Sequence, residues 1–184
     1  MKRMLLASLC AAALGLPGAA GAQDASTAAP MLHAGAIELG LSGALTAVEG
    51  ATHATALLRV GRFSRLGSGL LALEGEVGYS HVSSLDALGL EAAVSWQRRL
   101  GATSFYPYIA LAAGTREEWI GSFRDARIPV GLTFGLRTLA GERAAARVEY
   151  RVRRVLHDPV ADLSEQQVLV GLSLLFHNAR RGHS

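Results

Sequence analysis

Two short runs carry the residue types that hydrolysis or metal binding would need. His81-Val82-Ser83 sets an imidazole beside a hydroxyl. A serine becomes a useful nucleophile only when a base takes its proton and a third group holds that base. Asp86 and Glu91 are the only carboxylates near the run. Without a holder for the base the serine stays weak, and an ordinary loop is expected. His157-Asp158, Asp162 and Glu165 offer a sparse set of cation ligands. Metal-binding carboxylates usually stand more densely than these, so a solvated loop is expected there as well. No catalytic, cofactor-binding or metal-binding residue is assigned.

A larger set of charged residues is distinguished by its rhythm. Residues 70–80 put Leu71, Leu73, Val77 and Tyr79 in one phase and Glu74, Glu76 and Ser80 in the other. Residues 88–98 set Leu88, Leu90, Val94 and Trp96 against Glu91, Ser95 and Gln97. Residues 127–137 set Ile128, Val130, Leu132, Phe134 and Leu136 against Gly131, Thr133, Gly135 and Arg137. Residues 146–153 set Val148, Tyr150 and Val152 against Arg147, Glu149, Arg151 and Arg153. The same alternation puts Glu38 opposite Ile37, Leu39 and Leu41, and runs through Val168–Phe176 with Gly171 and Ser173 in the second phase. Period two is the mark of a strand with one apolar face. Two segments are less regular. In 54–63, Leu57 and Phe63 fall in the polar phase beside Arg59, and in 105–114 Tyr106, Tyr108 and Ala110 oppose Phe105, Ile109 and Leu111.

The rest of the composition agrees with a chain of short strands. The 184 residues suffice for one domain, and half of them are apolar. Beyond the N-terminus, however, no unbroken apolar run reaches the roughly 18 residues of a spanning helix. The net charge is +3, and it falls to +1 once Lys2 and Arg3 are set aside. With no basic, aromatic-rich stretch, this gives no footing for nucleic acid. Residues 1–22 read as a signal peptide: Lys2 and Arg3, an apolar run from Met4 to Leu16, a break at Pro17-Gly18, and small residues Ala20-Gly21-Ala22 before Gln23. A lipoprotein signal cut at Cys10 and an uncleaved anchor are the disfavoured alternatives. Cys10 is the only cysteine, so the mature chain is expected to have no thiol. Residues 23–33 read as a periplasmic lead-in, 34–177 as the barrel and 178–184 as a periplasmic tail.

Eight alternating segments of about 9–11 residues have the length that crosses a bilayer when tilted. An all-β, eight-stranded antiparallel up-and-down transmembrane barrel is therefore expected, with the apolar faces toward lipid. Its narrow interior would be filled by side chains. Glu38, Glu74, Glu76, Glu91 and Glu149 would there face Arg59, Arg137, Arg147, Arg151 and Arg153, in numbers that argue for mutual pairing. Trp96, Phe105, Trp119, Tyr150 and Phe176 are expected at the membrane interface, where amphipathic aromatics gather. Lumen filling is the alternative for Trp96, Phe105 and Tyr150, and Tyr106 likewise fits either that belt or the lumen.

The strand count and the last strand, alternating from Val168 to a terminal aromatic at Phe176, resemble the OmpA/OmpX-type barrels, the outer-membrane β-barrel domain group. That resemblance implies a location in the outer membrane of a Gram-negative bacterium, with both chain ends in the periplasm. It implies periplasmic turns near 66–69, 100–104 and 140–144 and short outer loops near 47–52, 81–87, 115–126 and 156–166. The partners it implies are outer-membrane lipid and lipopolysaccharide, with the barrel-assembly machinery during biogenesis, around a monomer. Some barrels of this size are lipid A deacylases with a His-x-Ser motif on a late, lipid-facing strand and a Glu soon after. His81 and Ser83 share that spacing but lie at the third strand's outer end, and Asp86 and Glu91 do not match the Glu position. A structural or interaction protein is expected first, a narrow small-solute channel second and a lipid-modifying enzyme third.

Overall fold

A computed structural model describes residues 30–48, 51–82, 84–156 and 164–177. It contains β1 (Ile37–Val48), β2 (Ala51–Leu66), β3 (Gly69–Val82), β4 (Leu85–Gln97), β5 (Phe105–Ile120), β6 (Phe123–Leu139), β7 (Ala144–Leu156) and β8 (Ser164–Phe176). Each strand pairs antiparallel with the next, and β8 pairs with β1 to close the barrel. Both described chain ends lie at one rim, called the lower rim here. Tight reversals make the hairpins possible. Gly67 and Gly121 adopt positive φ of 58° in the turns joining Leu66 to Gly69 and Ile120 to Phe123, a conformation open to glycine at little cost.

The register fixes the barrel's shape. Paired residues followed strand by strand from Leu39 run through Val60, Gly75, Ala92, Ala113, Val130 and Arg154 to Ser164. Ser164 lies six residues before Val170, which pairs with Gly43, so the circuit returns to β1 ten residues beyond Leu39. This stagger corresponds to a strand tilt of about 40° and leaves room inside only for side chains.

Burial is inverted relative to a water-soluble protein. Arg59, Arg137 and Arg147 are the largest fully buried side chains, whereas Leu172 is 70 % exposed and Leu111 67 % exposed. A soluble β-barrel packs its apolar face inward and solvates the other. Here the apolar residues form an outward band. On β8 it runs from Val168 to Phe176, which spans about 20 Å at this tilt, close to the apolar band of a membrane barrel. The fold is an all-β transmembrane barrel.

Two expectations need correction. The strands are 12–17 residues long rather than 9–11, because β5 and β6 continue past the apolar band into charged residues. The expected outer loop at 115–126 is thus a strand hairpin turning at Gly121-Ser122, and the expected 81–87 loop contracts to the link between Val82 and Leu85. Likewise β8 already includes Ser164, Glu165 and Gln166 from the expected 156–166 loop. Residues 1–29, with the expected signal peptide, lie outside the described residues, as do Ser83, His157, Asp158, Asp162 and 178–184.

The lower rim has an apolar floor made of Leu32, Ala36, Phe63, Ala72, Tyr106, Leu139, Ala145 and Leu175. Leu32, expected in the lead-in, tucks into it, and its N–H donates to the Tyr106 hydroxyl at 2.9 Å. Tyr106 is thereby a lumen residue and not part of an outer belt.

Candidate functional site: the charged lumen

Alternation along each strand delivers all ten charged residues singled out in the sequence to the inside of the barrel. They form connected tiers. Just above the floor, Arg137 donates to Glu38 at 2.8 Å and also bonds the Gln97 side-chain oxygen. Arg147 reaches Glu74 at 3.2 Å, and Ser95 donates to the same carboxylate at 2.8 Å. In the middle tier, Arg59 on β2 grips Glu149 on β7 with two nitrogens at 2.7 and 3.0 Å and Glu76 on β3 at 2.5 Å. Arg151 meets the same two carboxylates, Glu76 at 2.8 Å and Glu149 at 2.6 Å. Charge-assisted, two-pronged contacts of this kind fix orientation as well as energy.

Aromatic rings finish the packing. Tyr108 donates its hydroxyl to Glu149, and the guanidinium groups of Arg137 and Arg147 lie over its ring at 5.4 and 5.1 Å. Arg137 also sits 4.9 Å from the Phe63 ring centre. Such cation–π contacts are strongest away from water. Phe63 and Leu57, which interrupted the alternation of the second segment, therefore occupy the lumen as fillers.

A third tier closes toward the upper rim. Arg153 meets Glu91 at 2.6 Å; both are expected in the lumen, but alternation names no partner for either. Arg116 meets Glu165 and Glu118, each at 2.6 Å, and Arg127 meets Glu118 at 3.0 Å and Asp125 at 3.1 Å. Arg116, Glu118, Asp125 and Glu165 fall in the expected loops 115–126 and 156–166, and Arg127, first in the 127–137 segment, shares the inward phase of Gly131 and Arg137 without having been singled out. The signal was present: Arg116 and Glu118 continue the phase of Tyr106 and Tyr108. Glu165, expected in a solvated loop, is instead an ion-pair partner. Above the middle tier an open cavity of about 430 Å³ remains, bordered by Glu76, Glu91, Arg116, Arg151, Arg153 and Glu165.

The interface aromatics face outward. Trp96, Phe105 and Phe176 stand near the lower rim and are exposed. Tyr150 is exposed higher on β7, and its hydroxyl donates to Gln166 at 2.7 Å. Trp119, half-buried, lies on the outer side of β5 near the upper rim. On the same upper outer surface, His81 lies opposite Asp86 in the β3–β4 register, with Nδ1 2.8 Å from a carboxylate oxygen. The Tyr79 hydroxyl donates to that carboxylate too. A holder for the imidazole is thus present, although the sequence spacing had not disclosed it. Among the described residues no group of His, Cys, Asp and Glu is placed to hold a metal ion.

An inverted eight-stranded barrel with a charge-filled lumen defines a fold class, the small transmembrane β-barrels, and the comparisons agree at the level of fold. No family model matches the chain, and neither does any curated protein. Among solved structures, the chain is similar to Neisserial surface protein A, with a TM-score of 0.55 and 11% identity over 76% of this chain and 95% of that one. It is similar also to the N-terminal β-barrel domain of Pseudomonas aeruginosa OprF, with a TM-score of 0.54 and 16% identity over 78% of this chain and 98% of that one.

Proposed function

We propose that this chain is a structural or interaction protein of the Gram-negative outer membrane, of the OmpA/OmpX type, with a filled lumen that does not conduct. In this reading it is exported as a precursor, loses residues 1–22 and is folded by the barrel-assembly machinery. It then stands as a monomer among outer-membrane lipid and lipopolysaccharide, without nucleic acid or catalysis. One observation carries the reading. Arg59, Glu76, Glu149 and Arg151 join three strands across the lumen, each at most 5 % exposed. A hydrated pore would leave such groups in water, where ion pairs are weak and loose. Purified protein in planar bilayers should give no steady conductance. Regular ion-conducting steps would make the narrow small-solute channel the correct reading.

The His81–Asp86 pair supports a second reading, hydrolysis of a lipid ester at the upper rim. An oriented imidazole is half of what an activated serine requires. The mass of lipid A after expression tests it: loss of an acyl chain that is abolished by Ser83→Ala would establish the enzyme, and unchanged lipid A would remove it.

A further inference from the structure

Apart from Arg154 and from Arg99, which bonds the backbone carbonyls of Ala102 and Thr103, the described arginines divide into two populations. Each of the lumen arginines named above is engaged with a carboxylate. At the upper rim Arg124 lies 3.5 Å from Glu117. At the lower rim the situation reverses. Arg62, Arg65, Arg98 and Arg143 are exposed, and none has a side-chain hydrogen bond or ion pair among the described residues. Each lower turn contributes: Arg65 precedes the β2–β3 turn, Arg98 follows β4, and Arg143 precedes β7. Glu142 is the only exposed carboxylate at this rim among the described residues.

Arg62 and Arg98 share the outward phase of the apolar band, whereas Arg65, paired with the floor residue Leu70, and Arg143, in the turn before β7, stand at the rim below it. Leu66 beside Arg65 and Leu100 near Arg98 are 51 % and 52 % exposed. Arg62 goes further, because it lies on the outward face between its ladder partners Ile37 and Leu73, both exposed to the membrane side. An arginine among lipid-facing side chains is costly unless its long stem lets the guanidinium reach the interface. There it needs an anion, and its planar donor fork matches phosphate.

We infer that Arg62, Arg65, Arg98 and Arg143 form a collar that binds the phosphate groups of anionic phospholipids in the leaflet at the lower rim. The collar sets the depth of the barrel and surrounds it with a shell of such lipids. The inference rests on the membrane reading above and deepens it by naming a lipid class and its residues. Lipid is favoured over a soluble anion by the continuity of the collar with the apolar band, which offers acyl chains a surface directly above Arg62 and Arg98.

The two tryptophans make the test direct, since Trp96 is near the collar and Trp119 is at the opposite rim. Full-length mature protein carrying Trp119→Phe or Trp96→Phe would be reconstituted in symmetric phosphatidylcholine vesicles with a minority of phosphatidylglycerol. Bromine is placed on the acyl chains of one lipid or the other. Brominated phosphatidylglycerol should quench Trp96 as though enriched about fivefold over its bulk share, the factor for one arginine held near an anionic surface. Salt should reduce the enrichment, and Trp119 should show none. Combining Arg62→Gln, Arg65→Gln, Arg98→Gln and Arg143→Gln should abolish it while the folded gel band persists. The salt series and the Trp119 control stand even if that variant folds poorly. Equal quenching of Trp96 by both brominated lipids would overturn the collar and leave the barrel reading intact. Enrichment that survives the four substitutions, or that inorganic phosphate displaces at matched ionic strength, would also overturn it. If neither lipid quenched either tryptophan, the membrane reading would fall and the collar with it.

Discussion

Tyr108 lies flat across Gly135, its ladder partner on the neighbouring strand, so closely that a β-carbon at position 135 would collide with the ring. The glycine is what lets the ring lie down and bring its hydroxyl to Glu149. Gly135→Val should therefore lift the ring and cost about 1–3 kcal/mol, the usual penalty for overpacking. Unfolding in lipid measures the loss. Adding Tyr108→Ala to Gly135→Val should recover part of it; equal losses in the single and double variants would show that the stacking is not the cause.

Leu132 and Leu172 face lipid at the level of the apolar band, and Ser173 beside Leu172 faces the lumen. Leu132→Arg and Leu172→Arg should each cost roughly 2–4 kcal/mol near the bilayer midplane. The folded fraction, read from heat-modifiable gel migration, checks this. Ser173→Arg should also disturb the barrel, but by crowding, so Ser173→Ala should be tolerated. Normal insertion of both leucine variants would refute the outward facing of the apolar residues.

Salt should separate the upper tier from the lower ones. Glu165 is 39 % exposed and its partner Arg116 18 %, while Glu38 and Arg137 are fully enclosed. Glu165→Gln should cost no more than about 1 kcal/mol, and that cost should shrink as salt rises. Glu38→Gln leaves a buried guanidinium short of its counter-charge, so its larger cost should be insensitive to salt. Parallel unfolding series at low and high ionic strength provide the measurement.

N-terminal sequencing of protein from the membrane fraction should begin at Gln23, after the small residues Ala20-Gly21-Ala22. Recovery of Met1 or of a lipid-modified Cys10 would refute the export route.

Much of this was legible because period two is a local signal. Leu172 and Ser173 differ by one position, and that alone sends one to lipid and the other to the lumen. The phase of Glu149 was equally plain, but its contact with Arg59 was not, since β2 and β7 meet only after the barrel has closed. Glu118 and Glu165 were lost for another reason. The apolar half of the rhythm fades above the lipid, at Thr115 and Glu117 on β5, although the strand and its inward phase continue. His81 and Asp86 show the same limit: five residues apart along the chain, they are brought face to face by a hairpin register that spacing does not reveal.

The central claim is that the lumen charges hold one another, and a double-mutant cycle on Arg59 and Glu149 tests it most directly. Arg59→Met and Glu149→Gln should each destabilise the barrel in lipid by about 3–5 kcal/mol, because each leaves a buried charge uncompensated. The double variant removes one charge of each sign and leaves Arg151 with Glu76 and Arg147 with Glu74. It should cost clearly less than the two single losses together. Strictly additive losses would mean that the two residues do not support each other, and the account of a sealed, self-paired lumen would be wrong.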